Sequence, residues 1–147
     1  MLFADSSALA RAYLKDESEH DVLRALLLES GSIVMCSELV LVEVSRAFAA
    51  AGRARRLRPK VVSDLLEQLD HDTRDDGVVS LVTFDANQTL ARARDLVVRF
   101  PLATLDALHL AVADREGRAL AADDGVVFVT RDDDQRRAAE ALGFETI

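Results

Sequence analysis

Met1-Leu2-Phe3-Ala4-Asp5-Ser6-Ser7-Ala8-Leu9 opens the chain. An apolar run stops at a carboxylate, and two hydroxyl residues then lead into an alanine-rich segment. That order reads as strand, turn and helix start. In open α/β sheets ligands sit in the crevice beyond the carboxyl ends of the strands, so an Asp ending a buried strand stands where chemistry is done. Asp5 is the first candidate site residue. The competing reading is a helix N-cap, for which Asp and Ser are favoured with no chemistry implied.

From Asp5 outward, strand-like and helix-like stretches alternate. Ser6 to Tyr13 and Ser18 to Leu28 read as helices, the second carrying Leu23, Leu26 and Leu27 at helical spacing and closed by Gly31. Ile33 to Cys36 is a short apolar run expected as a buried strand. Ser37 then serves as N-cap for a helix from Glu38 to Ala51 that Gly52 ends. Pro59 opens the next helix, to about Leu69, Asp70 to Gly77 is polar and turn-like, and Val78 to Val82 is a third strand. Asp85 to Val98 reads as a helix turning Leu90, Ala93 and Val97 inward, broken at Phe100-Pro101. Thr104 to Ala113 is the most apolar helix, with Thr104 as its cap. Val126 to Thr130 has the β-branched and aromatic content of a parallel strand covered on both faces. Asp132 to Leu142 is the last helix and Phe144 to Ile147 a short edge strand. The pattern predicts an α/β class with a mainly parallel sheet. With 147 residues, half of them hydrophobic, and neither linker nor repeat, the expectation is one domain over residues 1–147.

Charge narrows the partners. The formal net charge is -8, from 26 acidic and 18 basic residues, the wrong overall sign for a phosphate-binding surface, although a local site can oppose it. The one basic cluster, Arg53, Arg55, Arg56, Arg58 and Lys60, is either a solvated helix connection or a patch on the rim of a site that steers phosphate or a partner. No apolar run approaches the roughly 20 residues of a membrane helix, and the opening stretch lacks the basic flank of a signal peptide. A soluble, cytoplasmic protein is expected. The single Cys36 excludes an internal disulfide and a multi-cysteine zinc site, and its apolar neighbours suit a small buried residue. His20 and His71 lie in polar segments that read as surface, whereas His109, one turn from Asp106, suits a core or supporting role.

Four carboxylates recur near strand ends. Asp5 and Asp132 follow strands, Asp106 lies in the first turn of the apolar helix, and Glu43 projects from a mostly apolar helical stripe, where a carboxylate is costly to bury without a partner. Arg46 is one such partner. Asp132 with Gln135 resembles a capping box. Each residue alone has a structural explanation, but strand ends and the helices beside them converge on one crevice. Two carboxylates about 4 Å apart repel by roughly 4 kcal/mol at an effective dielectric near 20, and a divalent cation compensates that repulsion. Oxygen-only ligands favour Mg²⁺ or Mn²⁺ over Zn²⁺.

Asp5-Ser6-Ser7-Ala8-Leu9, Ser37-Glu38-Leu39 through Glu43-Val44-Ser45-Arg46-Ala47, Leu105-Asp106-Ala107-Leu108-His109-Leu110-Ala111, and Val129-Thr130 with Asp132 form four ordered motifs. Together they resemble PIN-domain ribonucleases, above all the VapC-like toxins of toxin-antitoxin pairs. The resemblance implies a three-layer α/β/α sandwich and a metal-dependent endoribonuclease that leaves a 5′-phosphate and a 3′-hydroxyl. It further implies a homodimer, blocked by a cognate antitoxin. By position, Asp5, Glu43, Asp106 and Asp132 would bind Mg²⁺, or Mn²⁺. Ser6 and Thr130 would orient the carboxylates or hold a metal-bound water. Asp133 and Asp134 extend the last motif into a run of three acids, each a competitor for the fourth position. Two other readings are an inactive PIN-like module that only binds a partner and a histidine-driven ribonuclease working without metal. A phosphoacceptor domain is disfavoured, because no Lys or Asp-x-Asp pattern stands at a strand end.

Overall fold

The computed structural model describes every residue, Met1–Ile147. Strands β1 (Leu2–Ala4), β2 (Val34–Ser37), β3 (Val79–Val82), β4 (Val127–Val129) and β5 (Glu145–Thr146) form one all-parallel sheet in the order β3-β2-β1-β4-β5. Helices α1 (Ser6–Tyr13), α2 (His20–Arg24), α3 (Val40–Arg53) and α4 (Pro59–Asp72) connect the first three strands. Helices α5 (Ala86–Arg99), α6 (Thr104–Val112) and α7 (Arg118–Ala121) lead into β4, and α8 (Asp133–Ala141) leads into β5. The period-2 alternation of the strands separates two cores. Leu2, Ala4, Val34, Cys36 and Val129 face Leu9, Val44, Phe48 and Leu69 of the first helix layer. Phe3, Met35 and Phe128 face Leu96, Leu110 and Ala138 of the second. The expected three-layer α/β/α sandwich is the result.

Strand order explains where a site belongs. The chain steps outward from β1 to β2 to β3, then returns to the other side of β1 to lay down β4 and β5. β1 and β4 are therefore neighbours whose connections leave toward opposite faces, which opens a crevice beyond their carboxyl ends. Phe3 pairs in register with Phe128, and their rings stack with centroids 6.0 Å apart. Burying each ring contributes about 2–3 kcal/mol and pins this strand pair. Gly117 packs over Phe3 where a Cβ would come within 3.1 Å of the ring, so a larger residue there would press on the same pair.

Several local expectations give way to tertiary contacts. The second helix starts at His20 because Glu19 turns left-handed, with φ 63°, and it continues as a wide turn over residues 25–29. Ser37 ends β2 instead of capping a helix, and α3 begins at Val40. Gly52 lies inside α3, whose bare backbone at that point lets Val62 of α4 approach. α4 runs on to Asp72, which is buried and accepts hydrogen bonds from Tyr13 Oη at 2.8 Å and Gln68 Nε2 at 2.7 Å. α5 turns Thr89, Ala93 and Leu96 inward and leaves Leu90 and Val97 exposed, a rotation of about one residue from the expected stripe. Thr104 is the first residue of α6 and does not cap it. His20 is buried, with Nδ1 3.0 Å from the Arg11 carbonyl oxygen. Cys36 is fully buried, as expected. No helix is long and apolar enough to cross a membrane.

Candidate active site

Asp5 anchors the crevice at the end of β1. It is the N-cap of α1, its Oδ1 accepting the Ala8 N–H at 2.9 Å, and it is only 1% exposed. The cap reading and the site reading thus describe one side chain. Ser7 Oγ also donates to Oδ1, at 2.9 Å, while accepting the Arg131 N–H at 2.8 Å, so this hydroxyl ties the end of β1 to the segment after β4. Asp5 Oδ2 stands 3.1 Å from Thr130 Oγ1. Burial raises the Asp5 pKa above its ordinary value, despite the Ala8 N–H and the nearby His109.

Glu43, at the start of α3, faces α6. Its Oε2 is hydrogen-bonded to Nε2 of the fully buried His109, whose Nδ1 lies 2.9 Å from Ser37 Oγ. A carboxylate only accepts, so Nε2 carries the hydrogen of this contact. Burial works against the charge on Glu43. The His109 contact, the Ser6 hydroxyl and Arg46 outweigh it and hold the carboxyl below its usual range. The principal partner of Glu43 is therefore His109, with Arg46 only a minor contributor.

Asp106 has no such partner. Burial first, and then the charges of Asp132, Asp5 and Glu43, push its pKa up to about 6 against a weaker pull from His109. Asp132, Asp5 and Glu43, the other three carboxylates expected from the sequence, thus lie within electrostatic reach of Asp106. Asp132 caps α8, its Oδ1 accepting the Gln135 N–H at 2.8 Å, and its own N–H donates to Thr130 Oγ1 at 3.0 Å. Asp133 and Asp134 open α8, and Asp134 pairs with Arg137. The expected capping box is half formed, because the Gln135 side chain turns inward to Thr130 and to the Asp106 carbonyl.

The arrangement is not a closed metal cage. No three His, Cys, Asp or Glu side chains stand close enough together to hold one ion directly. A Mg²⁺-type ion keeps several waters and uses one or two carboxylates, so an oxygen-only set with uncompensated charge at Asp106 still fits it. The arginine cluster lies elsewhere. Arg53 ends α3, about 15 Å along the helix from Glu43. Arg56 pairs with Asp16 at 2.7 Å and Glu17 at 2.5 Å, beyond the end of α1, and Arg55 and Arg58 are exposed in the same connection. Arg56 thus ties the far end of α3 to the segment that follows α1.

Sequence reasoning missed Ser7, Ser37 and the inward role of Gln135. Ser7, two residues past a capping Asp at a strand end, carried a signal. Ser37 and Gln135 read as caps, because their partners come from distant segments.

Comparison with known proteins agrees with this architecture. VapC20 of Mycobacterium tuberculosis, a Sarcin-Ricin loop cleaving toxin, matches in structure with a TM-score of 0.65 at 20% sequence identity, over 94% of this chain and 95% of that one. No curated protein matches the sequence. The PIN domain family model matches residues 2–141, a span that takes in all four acidic positions, and the chain accordingly belongs to the PIN domain family.

Proposed function

We propose that the chain is a divalent-metal-dependent endoribonuclease of the VapC type, the toxin of a toxin-antitoxin pair. The observation that carries this reading is the unbalanced negative charge around Asp106, at the crevice where the strand order reverses. Family membership and the fold shared with VapC20 support it. Asp5 and Asp106 would be the principal ligands of Mg²⁺ or Mn²⁺, with Asp132 completing the cluster and Glu43 orienting water. When bound, such an ion supplies neutralising charge to a phosphodiester and lowers the pKa of water. The chain's own residues do the rest. Ser7 and the Ala8 N–H fix Asp5, and His109 fixes Glu43. The excess of carboxylate over local cations leaves room for a basic segment of an antitoxin. The proposed setting is the cytoplasm and the proposed assembly a homodimer.

Calorimetry with Mn²⁺ and an RNA cleavage assay test this on the parent protein and Asp5→Asn. The parent binds the ion and cuts RNA. Asp5→Asn loses at least about 10²-fold in cleavage rate and most of its ion affinity while melting no lower. Undiminished cutting by Asp5→Asn overturns the assignment, and activity that survives EDTA points to a metal-free ribonuclease. The specific observation favouring an inactive binding module is that Glu43 is already engaged by His109 and no ready three-ligand cage exists. A parent protein that binds no Mn²⁺ would establish that alternative.

A further inference from the structure

Gln135 is a fully buried amide at the back of the crevice, and it touches two of the four acidic positions directly and a third through Thr130. Its backbone N–H donates to Asp132 Oδ1 at 2.8 Å, its Nε2 donates to the Asp106 carbonyl oxygen at 3.0 Å, and its Oε1 lies 2.7 Å from Thr130 Oγ1, itself 3.1 Å from Asp5 Oδ2. We propose that Gln135 is a positioning residue that takes the single Thr130 hydrogen, leaving the lone pairs of Asp5 Oδ2 open to a cation, while tethering α6 to α8. The inference rests on the metal-dependent reading given above.

A main-chain carbonyl only accepts, so the Gln135 nitrogen must face Asp106 and the Gln135 oxygen must face Thr130. An amide oxygen has no hydrogen to give, so the one in the 2.7 Å contact comes from Thr130. A threonine hydroxyl carries one hydrogen, and Asp5 Oδ2 is the more distant of its two claimants. Meanwhile the Asp132 N–H donates into the same Thr130 oxygen at 3.0 Å, which orients the hydroxyl from the other side. Remove the amide and Asp5 becomes the remaining acceptor. A hydroxyl donating to Oδ2 then competes with a metal ion for the same lone pair, and α6 loses its tie to α8.

Mn²⁺ calorimetry on the parent, Gln135→Met, Thr130→Val and the double variant tests this, with thermal unfolding of each. Gln135→Met is expected to weaken Mn²⁺ binding about 10-fold or more, the usual scale for groups that orient metal ligands. Adding Thr130→Val, which removes the contested hydrogen, restores most of the affinity. A folded Gln135→Met that binds as the parent does, or a loss indifferent to Thr130, overturns the inference alone. A parent that binds no Mn²⁺ overturns the metal-dependent reading and this inference with it. Neutron diffraction of the parent needs no variant: a Thr130 hydrogen directed at Gln135 Oε1 supports the inference, and one directed at Asp5 Oδ2 overturns it.

Discussion

Glu43 and Asp106 stand on the two walls of one crevice, each a carboxylate in the first turn of a helix, and they differ in their nearest neighbour. Glu43 meets His109 and is held below its ordinary pKa in spite of burial. Asp106 has no such partner and is pushed up to about 6, by burial first and then by the charges of Asp132, Asp5 and Glu43. The α3 wall is thus balanced from within the protein. The α6 wall carries charge that only a cation or a proton from outside can balance, which is the asymmetry a metal-binding site needs.

The largest expected effect comes from making the two walls alike. His109→Leu strands the Glu43 carboxylate and the Ser37 hydroxyl, and urea titration at neutral pH should register a loss of about 3 kcal/mol. Adding Glu43→Gln should recover part of it; an unchanged midpoint for His109→Leu would remove His109 as the balancing group. Next comes the pH dependence of the unbalanced wall. A proton and a metal ion compete for Asp106, so Mn²⁺ affinity should fall about tenfold between pH 7 and pH 5, as the carboxyl of pKa about 6 becomes protonated. Flat affinity over that range would show that Asp106 is not a ligand.

A smaller effect appears in stability without metal. Because the folded-state pKa of Asp106 is raised from 3.8 to about 6, its ionisation destabilises the fold fully above about pH 6 and not at all below 3.8. Asp106→Asn should therefore stabilise the metal-free protein by about 1 kcal/mol at pH 8, after allowance for solvent screening, with the gain vanishing on acidification through that window. The smallest effect belongs to the far end of α3. Arg56→Ala breaks exposed pairs with Asp16 and Glu17 and should leave RNA cleavage within about twofold of the parent. A loss of about tenfold would return the basic cluster to the substrate path.

Much of this contrast was legible in the sequence, and the illegible part has a common cause. Strand periodicity and helix boundaries at Ser6–Tyr13 followed from local pattern, because side-chain alternation and capping chemistry act within a few residues. The four carboxylates stood out because Asp5 and Asp132 follow strand-like runs, Asp106 lies in the first turn of the most apolar helix and Glu43 projects from a mostly apolar stripe. What local pattern cannot report is which distant group claims a hydroxyl or an imidazole. Ser37 looks like a helix cap until His109, 72 residues later, takes its side chain. His20 looks like surface until the Arg11 carbonyl covers it, and Leu90 looks like core until α5 rotates to favour Leu96.

The stacking of β4 against β1 also sets a schedule. Asp5 and Thr130 are 125 residues apart, an interval that a ribosome adding roughly 5 to 20 residues each second takes about 6 to 25 seconds to cover. Until Thr130 has emerged, a nascent chain holds Asp5 at the edge of a half-built sheet, with no opposing wall. A growing polypeptide of this topology therefore has no assembled crevice until its closing strands are laid down.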